Sequence, residues 1–104
     1  MPKVAVYVKL AATPGKGKEL VDAFDSLYQG PLDEEEGTLV HVIHQGKDDP
    51  DTVFFYEMYR DDDALATHQR GEALKAVFPK LAGLVVAPPE TVLGIPANAK
   101  GLDV

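Results

Sequence analysis

Few side chains in this sequence can move a proton near neutral pH: His41, His44 and His68 are its three histidines, and it has no cysteine. Histidine is the natural acid or base in that range. His68 lies three residues after Leu65 and four after Ala64, so on a helix the three share one face. It is then either a satisfied core group or a proton-transfer group beside a pocket. Glu57 shares strand parity with Val53, Phe55 and Tyr59, an apolar row. A carboxylate there must find hydrogen bonds, from Arg60, Arg70 or a backbone N–H of a partner chain, or its pKa rises. A metal needs several converging ligands. A strand sends His41 and His44 to opposite faces unless a bulge intervenes, and Glu57 with one histidine is too small a set, so no metal is expected. Ser26 is the sole serine and sits in no glycine elbow, which removes serine-hydrolase chemistry. Gly15-Lys16-Gly17-Lys18 lacks phosphate-loop spacing, and Leu20 stands at the third glycine of a dinucleotide fingerprint. What remains is an apolar pocket walled by Phe24, Phe55, Tyr59 and Phe78 with one or two titratable groups, suited to a small organic ligand.

The elements that must position these groups follow from periodicity. Lys3 to Leu10 alternates with period two, predicting a strand. Leu20, Ala23, Phe24 and Leu27 repeat at helical spacing after Thr13-Pro14-Gly15, predicting an amphipathic helix that stops before Gly30-Pro31. Asp33 to Gly37 reads as a charged loop or one solvated turn. Thr38 to Gln45 and Thr52 to Arg60 read as an antiparallel pair joined by the loop Gly46 to Asp51. Asp61, Asp62 and Asp63 favour a helix start, giving a short helix over 62–69. Leu74 to Leu84 is a second amphipathic pattern, kinked at Pro79. Thr91 to Ile95 is the last strand, closed by Pro96, and 97–104 is a tail after a domain spanning 1–96. The order strand, helix, strand, strand, helix, strand predicts an α+β, ferredoxin-like βαββαβ fold with a four-stranded antiparallel sheet and helices on one face. The first and third strands carry apolar residues on both parities. Helices cover only one face, which leaves the other for a second copy of the chain and predicts a homodimer.

At 104 residues the chain makes one domain, and its 45% apolar and 26% charged content is that of an ordinary globular protein. A net charge of -7 repels phosphate backbones and anionic lipid, so nucleic acid is not an expected partner. No apolar run approaches the ~20 residues that span a bilayer, and Lys9 interrupts the N-terminal run, so we expect no membrane segment and a cytoplasmic location.

Glu36-Gly37-Thr38-Leu39, Asp48-Asp49-Pro50-Asp51, Val53-Phe54-Phe55-Tyr56-Glu57-Met58-Tyr59 and Asp63-Ala64-Leu65 followed by His68 resemble, in order and spacing, the antibiotic biosynthesis monooxygenase family. That family's pattern is an E-x-G or E-P-G turn, a D-P hairpin, y-E-x-W and a helix bearing A-L-x-x-H. The resemblance covers roughly Val4 to Ile95. It implies a ferredoxin-like unit whose sheets form a dimeric α+β barrel, and oxidation of electron-rich phenols or quinols by molecular oxygen with neither metal nor flavin. It places His68 at the helix histidine, for proton transfer or for orienting a substrate hydroxyl. Tyr59 replaces the usual tryptophan. His41 stands at a common tyrosine position, with His44 the alternative facing the pocket. Phe55 takes a place where some oxygenases make a polar substrate contact. Haem-degrading relatives use a first-strand asparagine, where this chain has Val8, and no histidine follows Phe78 to ligate iron. The implied function is a cofactor-independent monooxygenase with His68 catalytic and Val8, His41, His44, Phe55, Glu57, Tyr59 and Phe78 contacting substrate. Two other readings stay open: a cofactor-free isomerase or lyase acting on a carbonyl compound, and a non-catalytic stress-response module that binds a small ligand.

Overall fold

A computed structural model describes residues 2–104. Four strands form the sheet: β1 (Val4–Ala11), β2 (Thr38–Gln45), β3 (Thr52–Tyr59) and β4 (Glu90–Gly94). They lie in the order β2-β3-β1-β4, each neighbouring pair antiparallel, so β1 and β3 are central. Three helices complete the α+β, ferredoxin-like fold: α1 (Gly17–Asp22), α2 (Asp62–Arg70) and α3 (Glu72–Val77).

The alternation along β1 and β3 decides which residues face the helices. Val4, Val6 and Leu10 of β1, with Val53, Phe55, Glu57 and Tyr59 of β3, are buried there. Their main cluster joins Leu20, Phe24 and Leu27 from the α1 region to Val53, Phe55 and Val77, while a smaller one holds Val4, Val6 and Tyr59 against Ala64 and Leu65 of α2. On the opposite face Tyr7, Val42 and Tyr56 stand exposed, and Tyr7 stacks on Phe54.

The helices are shorter than the apolar spacing predicts. α1 ends at Asp22, and Asp25–Tyr28 continues as a 3-10 turn. The tighter winding brings Leu27 round beneath Phe24 at three-residue spacing, so both still reach the core. The acidic segment also begins as a 3-10 turn, Pro31–Glu34, with Pro31 in its first position. α3 gives way to a further 3-10 turn, Phe78–Leu81, where Pro79 removes an N–H. The α2 start is capped as its aspartates suggest: the Asp61 carboxylate accepts from the Ala64 N–H at 2.8 Å. α1 borrows its cap from the hairpin loop, where the Asp51 carboxylate accepts from the N–H groups of Gly15 and Gly17, each at 3.0 Å.

Two close approaches fix the geometry near the sheet's end. A β-bulge lies between Thr38 and Val40: Thr38 pairs with Tyr59, Val40 with Met58 and His41 with Glu57, leaving Leu39 as the extra residue. Gly37 sits so close to α2 that a Cβ there would lie 2.4 Å from the Ala64 Cβ. No helix among the described residues is long and apolar enough to cross a membrane.

Candidate active site

His68, Glu57 and His41 come from three elements and meet at one end of the core. α2 buries Ala64, Leu65 and His68 on one face, the three-and-four spacing visible in the sequence. His41 pairs with Glu57 across β2 and β3, so both side chains point to the helix side. The His41 and His68 rings lie 5.1 Å apart, and His41 Nε2 is 3.7 Å from Glu57 Oε2.

Each of the three is held from behind. His68 Nδ1 lies 2.7 Å from Glu35 Oε1; a carboxylate only accepts, so Nδ1–H donates and the neutral ring keeps its lone pair on Nε2. The same Glu35 oxygen accepts from Thr38 Oγ1 at 2.8 Å, locking the carboxylate. His41 Nδ1 lies 2.8 Å from the Tyr28 hydroxyl, and Tyr59 donates to Glu57 Oε1 at 2.5 Å. Every nitrogen or oxygen sealed from solvent in the described side chains has a hydrogen-bond partner. The hydrogen bonds of His41 and His68 are made through Nδ1, and both residues line one cavity.

That cavity, about 190 Å³, runs between sheet and helices. His41, Glu57 and His68 stand at its polar end, and Val8, Phe55 and Phe78 are among its apolar walls. Phe24 meets Phe55 edge-on at 4.8 Å between ring centres and extends that wall. Burial dominates the electrostatics. It lowers the His41 pKa from its ordinary 6.5 to about 4, assisted by the neighbouring His68, so the imidazole is neutral near pH 7. Burial pushes the Glu57 carboxyl up, against the opposing pull of the Tyr59 hydrogen bond and His68. Both tyrosines are held as hydroxyls: burial and then Glu57 raise Tyr28 and Tyr59 well above the ordinary phenol range.

Two candidates from the sequence fall elsewhere. His44 faces the other side of the sheet, stacked on Phe54 at 4.4 Å. The bulge precedes both histidines, so their offset of three still separates them. Tyr59, fully buried, lines no part of the cavity. It stands one alternation beyond Glu57 at the strand's end, where α2 covers it, and it anchors the carboxylate from behind. Tyr28 and Glu35 are the site residues that spacing did not reveal. Glu35 did carry a signal, as the first residue of an E-x-G triplet in Glu35-Glu36-Gly37. The grouping of His41, Glu57 and His68 as ligand-type atoms all within 4.8 Å of one another also escaped, because no two of the three lie close in sequence.

Sheet order, helix placement and a buried histidine–carboxylate cluster beside an apolar cavity define a ferredoxin-like α+β domain. The sequence model of the antibiotic biosynthesis monooxygenase family matches residues 3–80, and the chain belongs to that family. No curated protein matches it significantly. Among solved structures it is similar to a protein of unknown function from Nitrosomonas europaea, with 27% identity over 100% of this chain and 98% of that one at a TM-score of 0.81. A conserved protein from Methanosarcina mazei shares 25% identity over 93% and 95% of the two chains, also at 0.81. A Mycobacterium tuberculosis protein at 20% identity, covering 93% and 97%, shows the same fold at 0.81.

Proposed function

We propose that the chain is a monooxygenase that oxidises a small, electron-rich phenol or quinol with molecular oxygen, with no cofactor taking part. The observation that carries this reading is an apolar cavity of about 190 Å³ lined at one end by His68, whose Nδ1 is fixed by Glu35. An apolar cavity of about 150 Å³ already holds benzene, so this one suits a single ring or a compact bicycle. A space filled by side chains would instead have favoured a non-catalytic module.

In this reading the substrate hydroxyl gives its proton to His68 Nε2, and the phenolate passes one electron to oxygen. The two radicals join at a ring carbon that bears hydrogen, and the proton on His68 completes the hydroperoxide. Loss of that carbon's hydrogen with O–O cleavage leaves a carbonyl and water. A phenol and O2 thus become a quinone and H2O, the ring supplying all four electrons. Phe24, Phe55, Phe78 and Val8 hold the ring and exclude water, while neutral His41 and Glu57 hydrogen-bond its oxygen. We take residues 1–96 as the working unit with 97–104 a tail, two copies joined through their sheet faces, and the cytoplasm as its place of work.

Oxygen uptake with substituted hydroquinones and naphthols tests this. His68→Ala should lose about 10²–10⁴-fold in turnover, the usual share of a positioned acid or base. Uptake unchanged in that variant removes His68 from the mechanism. Turnover that persists without oxygen selects the isomerase or lyase reading instead.

A further inference from the structure

We propose that His41, Glu57 and His68 also form a binding site for one divalent first-row transition ion, of the zinc class, which takes the place of the aromatic hydroxyl at the polar end of the cavity.

Three observations converge. The first is the donor set: two imidazoles and one carboxylate, each offering one atom, all within 4.8 Å of one another, with His41 Nε2 and Glu57 Oε2 already at 3.7 Å. Bonds of ~2.0–2.2 Å require donors about 3.0–3.5 Å apart, so closing on an ion needs adjustments on the order of an ångström. Imidazole with carboxylate suits zinc, iron(II) or cobalt(II), whereas magnesium and calcium demand oxygen donors.

The second is the outer ring of partners. A ligating histidine almost always donates its other ring N–H to a carboxylate, backbone carbonyl or water, which sets its tautomer and aim. Here Glu35 takes that place for His68 and the Tyr28 hydroxyl stands there for His41, while Tyr59 holds the second oxygen of Glu57. The atoms left over are Nε2 of each histidine and Oε2 of Glu57. The third is room: three protein donors leave at least one coordination position, and the cavity supplies space for water or a ligand oxygen there.

The site goes beyond the oxygenase reading and depends on it in one respect: an ion bonded to His68 Nε2 consumes the lone pair that accepts the substrate proton, so occupancy should inhibit. Titration of chelator-treated protein with cobalt(II), followed by its visible d–d absorption and by equilibrium dialysis, should show one ion per chain. Glu57→Gln and His41→Ala should each weaken binding by about 100-fold or more. Tyr28→Phe keeps all three ligands and should weaken it by about 10–100-fold, the usual effect of removing an orienting partner. His44→Ala should bind as the parent does. Circular dichroism establishes that each variant is folded, and where a ligand variant is not, Tyr28→Phe decides. The inference is overturned by no saturable cobalt binding, by undiminished binding in the folded variants, or by loss of binding in His44→Ala. Oxygen uptake by metal-free protein separates the two proposals. Uptake without any cobalt site sinks this one alone, and a cobalt site without uptake sinks the oxygenase alone.

Discussion

Residue by residue, the site depends on His41, an imidazole that burial holds neutral well into the acid range. His41 shows the cost of that arrangement. Its native pKa of about 4 lies below the ordinary 6.5, so between those values the unfolded chain binds the proton and the native one does not. Its contribution is present above pH 6.5 and is lost as pH falls towards 4. At about 1.4 kcal/mol per unit, the whole interval is worth about 3 kcal/mol. Glu57, raised by burial, works in the opposite sense, since the native carboxyl holds its proton longer than the unfolded one does. In chelator-treated protein, chemical denaturation at pH 6.5 and 4.5 should show a clear loss for the parent and a smaller one for His41→Gln. Equal losses would assign the acid sensitivity to other groups. Much of this was legible in the sequence: Glu57 in an apolar row had to find a partner or shift, and it does both. Glu35 was harder to read: its E-x-G triplet lies within an acidic run that looks like solvated surface until the fold sets a histidine beside it.

At the level of elements, the strands were readable because period two survives any tertiary context that buries one face. The helix ends were less so. Phe24 and Leu27 fit an α-helix and a 3-10 turn equally well by spacing, so spacing alone does not separate the two. Nor does composition reveal that α1 is capped by a residue of the hairpin loop. The close approach of Gly37 to Ala64 is a further feature only packing shows, and it carries the contact between the acidic turn and α2. Gly37→Ala forces a Cβ into a gap of 2.4 Å, so we expect about 1–3 kcal/mol of destabilisation from overpacking, read by denaturant unfolding. The same wedge moves Glu35 away from His68, so oxygen uptake should drop even where the variant remains folded. A neutral effect on both readouts would mean that α2 shifts freely and that the Glu35–His68 contact is not fixed by packing.

Taken whole, the molecule has one finished face and one unfinished. Tyr7, Val42 and Tyr56 form part of an apolar surface on a sheet whose opposite side is core. A second copy, related by a two-fold axis, would present the same groups in return. Sedimentation equilibrium should therefore give twice the chain mass, and Tyr7→Glu with Val42→Glu should halve it while circular dichroism keeps the fold. A parent protein that stays a single folded chain at low concentration would rule the pairing out. The duplicated apolar parities of β1 and β3 made this face visible in the sequence, whereas the area it buries depends on how two sheets curve, which no spacing records. The bulge at Leu39 has a further bearing, on how such a chain can change over generations. Deleting Leu39 would make the ladder regular while leaving Thr38 opposite Tyr59 and His41 opposite Glu57, because the bulge residue takes up no position on the partner strand. The chain can therefore gain or lose this one residue over generations without disturbing the pairing that sets His41 opposite Glu57.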